Sequence, residues 1–256
     1  ARTAGRLGTG LLWLDERLFA ELDAQSDAAT LVTRVGELAA ARAQGKLAVW
    51  LSLEGGEPIL NEIGLLRIFY RLGVRAMGLT WNFRNDLADG GAADGGGEVP
   101  GGGLSSLGRA VIAEMNRLGM VIDLAHLARA GMVEVLARSE QPVIHSHGAL
   151  KALLPGHPRA LDEELLLAIA RGGGVFCPTT VPQALAEDEA DASLERYLDA
   201  ILYAVRLVGS EHVGLGADFD VYQSHLPYAI GQWTRGLEEA DRWPSVTEGL
   251  LARGLS

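Results

Sequence analysis

The chain has 256 residues, of which 48% are hydrophobic and one is cysteine, and its net charge is −11. That length suits one large domain, residues 1–256, of the size of an α/β barrel (about 250 residues). The acidity argues against nucleic acid or an anionic membrane as the main partner, the lone Cys177 excludes an intrachain disulfide, and no apolar run reaches the ~18 residues of a membrane span. A reducing compartment suits one cysteine, and no secretory leader is visible, so the expected location is the cytoplasm.

Residues 1–45 read as helical, with apolar positions at three-to-four spacing in 14–22 and 31–41. Lys46 to Gly56 reads as a buried strand whose last side chain before two glycines is Glu54. A helix over 59–72 and a strand over 74–81 follow, the latter ending at Trp81 with Asn82 and Asn85 beyond. Residues 89–103 are glycine-rich and read as a mobile surface loop. Ser106 is placed to cap a helix that Gly119 ends. Met120-Val-Ile-Asp-Leu-Ala-His126 and Gln141-Pro-Val-Ile-His-Ser-His147 are two apolar strands that end in histidine, with a helix over 131–139 between them. Asp162 caps a helix to Arg171. A strand over 172–180, a helix over 193–208, a strand over 212–220 and a final helix over 245–253 complete the chain.

Strand and helix thus alternate through six strands, which implies a parallel sheet with right-handed crossovers. The expected fold is a TIM-like (β/α)₈ barrel, incomplete at six visible strands, with a doubly wound sheet as runner-up. Four strands end in Glu54, His126, His147 and Asp218, and a barrel gathers such ends into one mouth.

These nitrogen and oxygen donors suit Zn²⁺, then Mn²⁺ or Fe²⁺. Glu54 can bridge two ions, which about 3.5–4 Å apart hold a hydroxide and polarise a carbonyl, as amide hydrolysis requires. Asp218 can carry a proton to the leaving amine. The blander readings are that Glu54 binds the following glycine amides, that Asp218 or Asp220 caps a helix, and that each histidine is a hydrogen-bonded core residue. Arg159 could clamp a substrate carboxylate. His145 shares a strand face with His147 and either adds a ligand or packs deeper. His212 and His225 read as surface residues, Cys177 as a small buried hydrophobe, and Trp50 and Trp81 as packing residues, Trp81 lying near the mouth.

The chain resembles the membrane (renal) dipeptidase family of zinc peptidases. The matching blocks are Leu53-Glu-Gly-Gly56, Gly73 to Asn82, Gly103 to Arg109, Glu114 to His126, Pro142 to His147, His157-Pro-Arg159 and Gly214 to Asp220, in one order over most of the chain. The resemblance implies a TIM-like barrel with two zinc ions that hydrolyses dipeptides, tolerates a D-residue on the C-terminal side and forms homodimers. By motif, Glu54 bridges the metals, His126 and His147 complete one zinc site, Arg159 holds the substrate carboxylate, Asp218 is the acid/base, and Trp81 stands where the family often has a substrate-contacting histidine, as in some bacterial branches.

The family's first-strand His-x-Asp pair has no counterpart before Glu54, so this chain visibly supplies ligands for one zinc where two are expected. Ala160 and Val221 also depart from the family pattern, and the closing glycine-asparagine segment is not found. Two readings therefore compete with a working zinc dipeptidase. One is a non-catalytic relative with one or no metal, serving as a binding or partner protein; the other is a mononuclear amidohydrolase that uses His145 as a ligand.

Overall fold

The computed structural model describes residues 14–91, 103–219 and 234–255. A π-helical turn at Leu14–Phe19 runs into α1 (Ala20–Ala24), then β1 (Ala29–Leu31), α2 (Val35–Ala43), β2 (Leu47–Val49) and β3 (Leu51–Leu53). Next come α3 (Ile63–Arg71), β4 (Val74–Gly78), α4 (Ser106–Leu118), β5 (Val121–Asp123), α5 (Arg129–Arg138), β6 (Ile144–Gly148), α6 (Glu163–Arg171) and β7 (Val175–Pro178). Helices α7 (Leu194–Val208) and α8 (Pro244–Ala252) close the described chain.

Strands β3, β4, β5, β6 and β7 form one parallel sheet in chain order. An order without a reversal point is singly wound, the barrel-type winding, and it removes the doubly wound alternative. The α/β class is as expected, although among the described residues the sheet is an open arc rather than a closed barrel.

Two expectations need correction at the ends of this arc. The first 45 residues are not wholly helical: Ala29-Thr-Leu31 pairs in parallel with Leu47–Val49 as a separate two-stranded sheet, and residues 1–13 lie outside the described part. The apolar spacing there fits a helix, but Thr30-Leu-Val-Thr33, three of its four residues β-branched, is drawn into strand pairing by its neighbour, which overrides a weak local preference. The long strand over 46–56 divides at Trp50, which is 44% exposed and so is no core packing residue. Its first half pairs with β1 and its second with β4.

The expected strand at 212–220 survives as two isolated parallel bridges, Phe176 to Val213 and Thr179 to Gly216; Asp220 and His225 lie outside the described residues. Residues 92–102 of the glycine-rich loop do too, whereas its two ends are fixed by antiparallel bridges from Ala88 to Leu104 and from Gly90 to Leu127.

Helices α3 to α6 cover one side of the sheet through apolar positions three and four apart. Leu66 and Phe69, Val111 and Met115, and Leu165 and Ile169 pack on Met77, Ile122 and Phe176 in one buried cluster. A second cluster joins Tyr197, Leu198 and Ile201 of α7 to Leu237 and to Val246 of α8. Caps set the helix phases. Ser105, rather than Ser106, accepts the Gly108 amide at 3.0 Å, Asp162 accepts the Leu165 amide at 2.9 Å, and Gly119 ends α4 at a φ of 70°.

One buried charge ties α3 to α4. The Glu114 carboxylate takes Arg67 at 2.6 Å and Arg117 at 2.6 Å, and the two guanidiniums lower its pKa to about 2. A carboxyl so depressed stabilises the fold above its unfolded pKa near 4.5 and loses that contribution as pH falls toward 2. Both arginines are at least half exposed, so solvent screening holds the expected effect to about 1 kcal/mol. Glu114→Gln should therefore lower the melting temperature by about 2–4 °C at neutral pH. The gap from the parent chain should close as thermal scans are repeated toward pH 2.

Candidate metal centre

Parallel pairing brings the C-terminal ends of β3 to β7 to one edge, and the site stands there. Glu54 follows β3 directly. The two glycines after it are required by geometry. Gly55 has a φ of 89°, and a side chain on Gly56 would come within 2.9 Å of the Leu79 carbonyl. The turn is held by the Gly56 amide on that carbonyl at 3.1 Å and leaves the Glu54 carboxylate free to point at the histidines.

His126 lies three residues past β5 in the left-handed region, with a φ of 63°. Its carbonyl accepts the Thr80 hydroxyl at 3.1 Å. His147 stands within β6, its Nδ1 2.9 Å from the Ser146 hydroxyl. Both histidines are buried, each 7% exposed. His126 Nε2 lies 2.9 Å from Glu54 Oε1, His147 Nε2 lies 3.5 Å from the same oxygen, and the two Nε2 atoms are 2.8 Å apart. The ligand-capable atoms of Glu54, His126 and His147 all lie within 4.8 Å of one another, the one such group among the described residues. The Glu54 carboxylate thus meets the histidines and not the glycine amides, and the histidines meet each other rather than separate core partners.

Protonation suits a cation. The hydrogen bond from His126 lowers the Glu54 pKa, against partial burial, so Glu54 is ionised. Burial lowers that of His126, with the charges of Arg159 and His147 adding, and the Glu54 hydrogen bond opposes this only in part. An ionised carboxylate and neutral imidazole are the forms that bind metal. Donor atoms on a tetrahedral zinc stand about 3.3 Å apart, and the separations here are close to that. The three residues fit one ion.

Asp218 and Arg159 complete the surroundings. Asp218 Oδ2 is 4.0 Å from His147 Nε2, and its φ is 55°. The Thr180 hydroxyl donates to the Ala217 carbonyl just before it, which fixes the turn. Arg159 reaches the site from the turn after β6. Its Nη1 donates to Asn82 Oδ1 at 2.9 Å and contacts His126 Nδ1. Burial lowers its pKa, while Asp218 and Glu54 hold the charge. Trp81 stands at the mouth, 44% exposed, with its ring 6.1 Å from that of His126.

Several residues outside that group have other roles. His145 is fully buried against Phe176, ring centroids 5.5 Å apart, and packs under Gly148. It is the deeper of its two expected positions, outside the three-donor group, and burial drives its pKa well down. His212 is half-buried, with Nδ1 2.9 Å from the Gly174 carbonyl. Cys177 is buried, which raises its thiol pKa to about 12, as suits a small hydrophobe.

Sequence reasoning passed over Asn82, which it placed only in a loop. Asn82 Oδ1 lies 2.8 Å from His126 Nδ1 as well as 2.9 Å from Arg159. That oxygen anchors the Nδ1 side of the ring, which leaves Nε2 facing Glu54 and His147. Its position one residue past the strand-ending Trp81 was the available signal.

The sequence profile of the membrane dipeptidase family, peptidase family M19, matches residues 17–256. The chain is 37% identical over 213 residues to Dipeptidase aclJ of Aspergillus oryzae, an alignment covering 83% of this chain and 48% of that protein. It is 35% identical over 213 residues to Dipeptidase tcpJ of Claviceps purpurea, covering 83% and 47%. The chain thus spans about half the length of the curated relatives it matches. Among solved structures it superposes on an amidohydrolase from Pseudomonas aeruginosa with a TM-score of 0.81 and 28% identity, covering 92% of this chain and 75% of that one. A metallo peptidase from Rhodobacter sphaeroides, liganded with a phosphinate mimic of the dipeptide L-Ala-D-Ala, gives a TM-score of 0.80 and 26% identity, covering 97% and 67%.

The segment that carries Asp218 lies tight on β6 and β7. A Cβ on Gly216 would stand 3.0 Å from the Cys177 Cβ and 3.1 Å from the His147 Cα. Gly216→Ala must therefore lift the segment and Asp218 with it. The expected cost is about 1–3 kcal/mol of stability by overpacking, read as an earlier urea midpoint, together with faster proteolysis at 213–219.

Proposed function

Because the chain belongs to the membrane dipeptidase family, peptidase family M19, we propose that it hydrolyses dipeptides with zinc as its metal. The observation that carries this reading is the convergence of Glu54 Oε1, His126 Nε2 and His147 Nε2 at one point, with Asp218 and Arg159 beside it. When bound, zinc supplies a Lewis acid for the peptide carbonyl and makes water acidic enough to attack near neutral pH. The chain's own residues do the rest. Glu54, His126 and His147 hold the ion. Arg159 offers a planar fork for the substrate's terminal carboxylate. Asp218 moves a proton from the attacking water to the leaving amine. Trp81 gives the substrate side chain an apolar wall at the mouth. We further propose, from family membership alone, a second zinc ion and a homodimer, and the buried Cys177 suits a reducing cytoplasm. Among the described residues, no helix is long and apolar enough to cross a membrane.

The one three-donor group among the described residues favours a second reading, in which the chain holds one ion and binds a peptide without cleaving it. Elemental analysis after zinc loading and desalting, paired with a dipeptide hydrolysis assay on the same sample, separates the two. Zinc-dependent turnover that a chelator removes and zinc restores supports the dipeptidase; bound zinc with no turnover supports the binding protein. Two variants sharpen the assignment. Glu54→Gln should abolish turnover with an unchanged circular dichroism spectrum, and retained turnover sinks its role as a ligand. Arg159→Lys should raise KM by about tenfold or more with a smaller change in kcat, since an ammonium cannot bind a carboxylate through two parallel bonds.

A further inference from the structure

Asp123 ends β5 and is 6% exposed. The β5–β6 ladder runs out at that point. Asp123 pairs with Ile144, the Leu124 amide reaches the Ile144 carbonyl at 2.8 Å, and the chain then turns through Leu124 to Leu127, closed by the Leu127 amide on Leu124 at 3.2 Å. Beyond Ile144, β6 continues toward His147 paired with β7 but no longer with β5. The next β6 amide facing β5, that of Ser146, therefore lacks a backbone acceptor from the neighbouring strand, and an amide withdrawn from water without an acceptor is destabilising.

The Asp123 side chain fills the gap. Its Oδ1 accepts the Ser146 amide at 3.0 Å and, from its own strand, the Ala125 amide at 2.9 Å. Ala125 is the residue before His126 and Ser146 the residue before His147. One oxygen thus joins the two backbones one peptide short of each histidine. Ser146 carries the link further, since its hydroxyl lies 2.9 Å from His147 Nδ1. The left-handed φ of 63° at His126 needs such a hold, because a non-glycine residue is strained there.

We infer that Asp123 is the positioning residue that sets the separation of His126 and His147, through one carboxylate oxygen that takes the amide preceding each of them. The inference rests on the metal-centre reading, and it concerns acceptor geometry rather than charge. An asparagine presents an acceptor at the same reach without the charge; a glutamate keeps the charge but sets its oxygens one methylene further out.

The test is zinc competition against a chromophoric chelator, using the full chain and the variants Asp123→Asn, Asp123→Glu, Asp123→Ala and His147→Ala. Amide hydrogen exchange at Ala125 and Ser146, and the melting temperature of the zinc-free proteins, are measured alongside. Asp123→Asn should hold zinc within about threefold of the parent chain and keep both amides protected. Asp123→Glu and Asp123→Ala should weaken zinc by about tenfold or more, the scale of lost support behind a metal ligand. They should also free the two amides while exchange elsewhere in β6 is unchanged. If Asp123→Ala does not fold, the contrast between asparagine and glutamate decides. Glutamate binding zinc like the parent while asparagine binds weakly overturns the inference in favour of charge. Zinc lost in His147→Ala but unchanged in Asp123→Glu, with the Ser146 amide exposed, overturns it alone. Zinc unchanged in both His147→Ala and the Asp123 variants overturns the metal-centre reading, and the inference with it.

Discussion

The site depends on parallel strand pairing more than on any single contact. In a parallel sheet all strands end on the same edge, and each step across the sheet moves the next strand end by one strand spacing, about 4.8 Å. Glu54 after β3, Asn82 after β4, His126 after β5, His147 on β6 and Asp218 beyond the segment beside β7 are successive uses of that edge. Residues far apart in the chain meet because the sheet is wound in order. Covering that sheet with α3 to α6 supplies the buried apolar area that keeps the edge fixed.

Strain is concentrated at the same edge. Four described residues other than glycine have positive φ, and two of them, His126 and Asp218, stand at the candidate metal centre. Each such conformation costs on the order of 1 kcal/mol and persists only where surrounding contacts over-determine it. Here those contacts are identifiable. Thr80 holds the His126 carbonyl, Thr180 holds the carbonyl before Asp218, and Gly216 brings that segment against the His147 backbone. The threonines that follow β4 and β7 thus do equivalent work at two points of the arc.

Much of this was legible in the sequence, for reasons that differ by residue. A short apolar run ending in histidine has one economical reading in an α/β chain, and it occurs twice, so His126 and His147 could be placed without contacts. Glu54 before two glycines was legible because only a tight turn demands both. What was not legible depends on pairing. The β1 strand looks helical until β2 is beside it, the 46–56 run looks continuous until two different partners divide it at Trp50, and 212–220 reads as a full strand although its described part makes only two bridges. Asn82 and Asp123 escaped for a related reason. Their work is done by a single side-chain oxygen on groups 44 and 23 residues away, and such reach leaves no periodic trace.

The division of the site into floor and rim follows from the same geometry. The histidines are buried and each ring is held at its Nδ1, so the floor is rigid and can hold one arrangement of donors. Trp81, Phe83 and Leu215, each close in sequence to a site residue, are between 43% and 53% exposed. Trp81 meets Phe83 edge to face at the surface, ring centroids 6.3 Å apart, above the His126 ring. Substitution there changes little of the fold, because no core contact is lost. Substitution at His126 or His147 changes the donor set itself. Under the proposed function, substrate preference is set by the rim residues that follow the strands, and metal binding by the strand ends.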